Sequence, residues 1–85
     1  MDLRTKVERS LRRAFKPSRL DLDDEDGISG YVVSEEFRGV EPFDRQTMID
    51  KALRSAPGPL TARELRRVIA VAALTPEEYV AYSAG

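Results

Sequence analysis

Residues Val32 to Ile49 read VVSEEFRGVEPFDRQTMI. The two valines close a run of strand formers, Gly39 turns the chain, and Pro42 suits the first position of a helix, where its missing N–H costs nothing. Asp44 falls in the positive first turn, where a carboxylate is favourable. Met48, Ile49, Ala52, Leu53 and Ala56 recur at helical spacing and give this helix one apolar face. The stretch therefore reads as a strand-to-helix corner, a place where ligand and partner sites often sit.

Upstream, Ile28 to Ser34 is rich in β-formers, and Asp24 to Gly27 is a tight turn. Residues 19–23 alternate charge with Leu20 and Leu22, as in a half-buried strand. So short a connection predicts an antiparallel hairpin. Residues 2–16 predict a helix with Leu3, Val7, Leu11 and Phe15 as its apolar stripe and Ala14 beside them. Pro17 ends it.

Downstream, Ala56-Pro57-Gly58-Pro59 breaks the second helix. Val68 to Leu74 predicts a third strand, with Ile69, Val71 and Ala73 as one apolar set. Thr75, Pro76 and Glu78 form a capping box at the start of a last helix. The order is α-β-β-α-β-α in one domain spanning residues 1–85. The fold class is α+β, with a three-stranded mixed sheet covered by helices on one face. The other set of the last strand, Val68, Ala70, Ala72 and Leu74, carries no charge. Polar alternation is expected on an open face. A homodimer is expected to cover it, ahead of the C-terminal tail with Tyr79, Val80 and Tyr82.

The chain has 85 residues, a net charge of −1, no histidine and no cysteine. Disulfides and thiolate metal sites are excluded, and the commonest general base is missing. No apolar run reaches the ~18 residues of a membrane helix, and a signal-peptide core is absent, so a cytoplasmic protein is expected. Charge is segregated. Arg4, Lys6, Arg9, Arg12, Arg13, Lys16 and Arg19 crowd the start, whereas residues 21–26 read DLDDED.

The corner VVSEEFRGVEPFDR resembles the "V-S-x-x-F-x-G-(L/V)-x-x-(L/F)-x-R" motif of the BolA-like family. VIAVAALTPEEY is similar to that family's last strand and its "T-P-E-E-W/Y" sequel, and LRRAF fits the end of its first helix. The resemblance spans roughly Val7 to Tyr79. It implies a fold related to the second KH type. It also implies partnership with monothiol glutaredoxins through a shared [2Fe–2S] cluster, and links to transcriptional regulation and nucleic acid. The family's histidines are missing. Gln46 stands where the corner continues "R-H-R", Arg67 stands at the ligating position of the last strand, and the contracted hairpin turn has neither His nor Cys. A guanidinium is no iron ligand and an amide is a poor one. No cofactor and no metal are expected.

Two surfaces are candidate sites on a non-enzymatic adaptor. Phe43, Arg45, Gln46, Arg66 and Arg67 are expected to form a protein-partner surface, since aromatic and Arg residues make good interface anchors. Phe43 is expected to fold over the corner as an apolar plug, and the head of Arg45 to meet a carboxylate. The alternative is nucleic-acid binding by Lys6, Arg9, Arg12, Arg13 and Lys16 on the polar side of the first helix. Gly27-Ile28-Ser29-Gly30 matches a GxxG pattern, but it follows five carboxylates and enters a strand, so it reads as a turn. DLDDEDG lacks the spacing of a calcium loop and reads as a solvated acidic edge.

Overall fold

The computed structural model describes residues 2–55 and 58–84. Ala56, assigned to the second helix, and Pro57, assigned to the break after it, lie outside the described residues. Helix α1 spans Leu3–Phe15, and its N-cap Asp2 accepts a 2.8 Å hydrogen bond from the Thr5 N–H. Leu3, Val7, Leu11 and Phe15 are buried as the four-residue spacing requires, whereas Ala14 is exposed. Lys16 closes the helix in the left-handed region, and Pro17 follows. Strands β1 (Arg19–Asp24) and β2 (Ile28–Val33) pair antiparallel.

The corner is built by Ser34. Its hydroxyl donates to the Phe15 carbonyl at 2.7 Å and accepts from the Glu36 N–H at 3.1 Å. One buried side chain thereby joins the end of α1 to a 3₁₀ turn at Glu35–Phe37. Phe37 drops from that turn into the core, fully buried, with its ring centroid 4.9 Å from that of Phe15. Gly39 takes the positive φ of 77° that lets the chain reverse, and α2 begins at Pro42 and runs to Leu53. Ile49 and Leu53 are buried against α1 and the sheet.

Strand β3 (Val68–Leu74) pairs parallel with β2, which gives the order β1-β2-β3 and leaves β3 as an edge. A short helix α3 (Ala62–Leu65), held by a Thr61–Glu64 capping box, precedes it. Four residues are too few to show periodicity, so α3 is not predicted by spacing. The strand also departs from simple alternation. Ile28 pairs with Val68 and Ser29 with Ala70, so Ile69 is an extra residue with no partner on β2. Val68, Val71 and Ala73 consequently pack into the core, and Ile69 is turned out, 63% exposed. The expected apolar set of Ile69, Val71 and Ala73 is corrected by this bulge.

Helices α1 and α2 cover one face of the sheet. Helix α4 (Pro76–Ala84) reaches the other. Tyr31 lies opposite Asp21 and Ala72, and the rings of Tyr79 and Tyr82 stand 5.4 and 6.3 Å from it. The Arg19 guanidinium lies 4.9 Å over Tyr79. The tail covers the Tyr31 end of this face, while Ala70 and Ala72 stay exposed.

Close strand packing makes Gly30 irreplaceable. Its φ is 146°, and a Cβ there would overlap the Asp21 carbonyl of the neighbouring strand. Gly30→Ala is expected to lose about 3 kcal/mol or more in urea unfolding. Gly58→Ala, whose Cβ would meet open space, should stay within about 0.5 kcal/mol.

Candidate partner-binding site

The first turns of α2 place two polar side chains against the open edge of β3. Arg45 lies four residues before Ile49 on the inward stripe and is only 9% exposed. Its Nε donates to the Val40 carbonyl at 2.7 Å. Its Nη1 donates to the Ala73 carbonyl at 3.0 Å and to Glu78 Oε1 at 2.6 Å. Glu78 Oε1 also accepts from the Thr75 N–H at 2.8 Å, while Thr75 Oγ1 accepts from the Glu78 N–H at 3.2 Å. The capping box of α4 is therefore also the counter-ion of Arg45. Hydrogen bonding from Arg45, then from the Thr75 backbone, holds the Glu78 carboxyl at about 2 against an ordinary 4.5.

Gln46 treats the same edge in the same way, its Nε2 donating to the Val71 carbonyl at 2.9 Å. The Leu74 carbonyl is taken by the Ser34 N–H, so the alternating Val71 and Ala73 carbonyls point away from β2. Arg45 and Gln46 occupy these two acceptors on an edge that would otherwise template another strand.

Beyond Gln46, a groove of about 480 Å³ runs between α2, α3 and β3, lined among others by Gln46, Asp50, Arg54, Arg66 and Ile69. Phe43 is 80% exposed, which corrects the expected apolar plug. Arg45 holds the inward stripe, and Phe43 points along the Gln46–Asp50 row at a spacing of three and four.

The structure thus brings Gln46 and Arg66 together in the groove, while Phe43, exposed one turn before Gln46 on α2, lies outside its lining. It takes Arg45 out of the expected surface and into the interior. Arg67 is exposed but lies outside the lining, 3.5 Å from Asp24. Arg54 and Ile69 belong to the groove and were not anticipated. The helical row through Asp50 would have found Arg54, but Ile69 depends on the bulge. On α1, Lys6 is engaged with Glu64 at 2.8 Å, and Arg12 lies 3.8 Å from Glu8. Arg9, Arg13 and Lys16 are exposed.

Solved structures carry the same fold. A Bol-like protein from Babesia bovis matches at 29% identity and a TM-score of 0.65, over 93% of this chain and 91% of that one. The chain has a BolA-like fold. BolA1 from Arabidopsis thaliana shares the fold at 20% identity and a TM-score of 0.68, over 92% of this chain and 96% of its own. The BolA domain of SufE1 from Arabidopsis thaliana shares it at 21% and 0.68, over 87% and 92%. No family profile and no curated protein matches the sequence. Apart from the 3₁₀ turn and the short α3, the element order is the α-β-β-α-β-α expected from the sequence.

The Arg45–Glu78 pair differs from the exposed Arg38–Glu35 and Arg38–Glu77 pairs, which solvent weakens. Arg45→Met leaves the Val40 and Ala73 carbonyls without a donor and should cost about 2–4 kcal/mol in urea unfolding. The Glu78 carboxyl is depressed on folding, so its contribution is fully present above pH 4.5 and is lost as pH falls through about 2. Glu78→Gln should flatten the fall in melting temperature across that window, measured by circular dichroism.

Proposed function

We propose that this BolA-like chain is a non-enzymatic regulatory adaptor that binds a protein partner at the groove between α2, α3 and β3. The observation that carries this reading is the exposed apolar Ile69 in the groove beside Gln46 and Arg66, with exposed Phe43 one turn before Gln46 on α2. Arg45 supports it from within, by fixing α2 against β3. The lining pairs no nucleophile with a base, so the groove suits binding better than chemistry. The reading includes a cytoplasmic location. Among the described residues no helix is long and apolar enough to cross a membrane.

The family's [2Fe–2S] cluster does not fit the residues present. The Gln46 amide donates to the Val71 carbonyl, and the Arg67 guanidinium faces Asp24. No group of three or more His, Cys, Asp or Glu converges among the described residues. We therefore infer partner binding without cluster ligation, with a monothiol glutaredoxin as the partner class suggested by family likeness. Titration of a cluster-loaded monothiol glutaredoxin, followed by calorimetry and visible absorption, tests this. Binding with an unchanged spectrum is expected, weakened about tenfold or more by Phe43→Ala with Ile69→Asp. A ligand-exchange change in the spectrum, or binding indifferent to both substitutions, overturns it.

Exposed Arg9, Arg13 and Lys16 favour a second reading, in which α1 contacts phosphates. It predicts affinity for nucleic acid that falls steeply with salt and drops when these three are neutralised. Absent or salt-insensitive binding in a filter or polarisation assay excludes it.

A further inference from the structure

The outer face of the sheet holds a second groove that the α2–β3 site does not use. Its volume is about 330 Å³, with Ser29, Gly30, Ala70 and Ala72 as a floor and Tyr31 and Tyr82 beside it. The small floor residues leave a shallow open surface beside the rings, and Tyr82 is 68% exposed. The rim is acidic. Asp21 lies opposite Tyr31 and Asp23 opposite Ser29, on the same face as the tyrosines. Asp24 is answered by Arg67 at 3.5 Å, whereas Asp21 and Asp23 form no ion pair among the described residues. Arg19, the cation on this face, lies over Tyr79.

Charge excludes one occupant and selects another. Five carboxylates at residues 21–26 repel a phosphate backbone, so the tyrosines do not serve as stacking platforms for nucleic acid. They attract a cationic segment. An extended proline-rich peptide fits the rest. Its rings pack on an exposed aromatic face such as that of Tyr82, and its carbonyls, unpaired within the peptide, need donors. Phenol hydroxyls supply them. An exposed phenol is protonated at neutral pH, and the exposed Tyr82 is free to donate.

We propose that the outer face, through Tyr31, Tyr82, Asp21 and Asp23, docks a proline-rich segment flanked by arginine or lysine. This site is independent of the groove at α2 and β3. Fluorescence polarisation with a labelled RRPLPPLPRR peptide tests it, with EEPLPPLPEE as the control. The expected dissociation constant for the basic peptide is about 100 µM or tighter, with no measurable binding of the acidic one. Tyr82→Ala should weaken binding about fivefold, and Asp21→Asn with Asp23→Asn should do at least as much and remove its salt dependence. Circular dichroism of each variant establishes that it is folded. Phe43→Ala should change nothing here. No binding of the basic peptide, equal binding of both peptides, or binding indifferent to Tyr82 and the aspartates overturns the proposal. So does a dimeric mass in light scattering that Tyr82→Ala converts to monomer, which would assign the face to a second copy.

Discussion

The guanidinium of Arg45 is the tie on which the corner, the sheet edge and the last helix all depend. It reaches the Val40 carbonyl before α2, the Ala73 carbonyl on β3 and the Glu78 carboxylate of α4. Burying a cation is costly unless its donors are met, and here an ionised acid and two carbonyls meet them. Arginine suits the position because one planar group offers several fixed donors, which a lysine could not aim in three directions. The cap of α4 shares the same carboxylate, so the helix start and the buried charge stabilise each other.

That tie shapes what the surface can do. With Arg45 and Gln46 occupying two acceptors of β3, the edge offers less to an incoming strand. Recognition then moves outward to side chains, to Ile69 on the bulge and to Phe43 on the free row of α2. The opposite face has a different character, with tyrosines from β2 and α4 beside aspartates of β1. Helix α4 is joined to both, since its first turn pairs with Arg45 and its tyrosines cover the outer sheet.

Most of the fold was legible because its signals are local. Leu3, Val7, Leu11 and Phe15 mark α1 by spacing, Pro42 and Gly39 mark the corner, and Thr75 with Glu78 marks the last cap. The misses share one cause. Helix α3 is shorter than a readable period, although its Thr61–Glu64 box is present in the sequence. The bulge at Ile69 arises from register with β2, which no local pattern of VIAVAAL expresses. The expected site was legible in part. Gln46 and Arg66 line one groove and Phe43 is exposed a turn before Gln46, but Arg45, grouped with them by proximity in the chain, faces inward.

The sequence alone determined the order of elements, the corner chemistry and the absence of histidine and cysteine, because helical period, strand alternation, turn residues and composition are properties of neighbours in the chain. Only the tertiary structure decided which side chains are spent on the interior and which remain for a partner. Arg45 and Phe43 lie two residues apart on one helix, yet about 200° of helical rotation separates them. Burial against β3 and α4 claims the first and leaves the second in water.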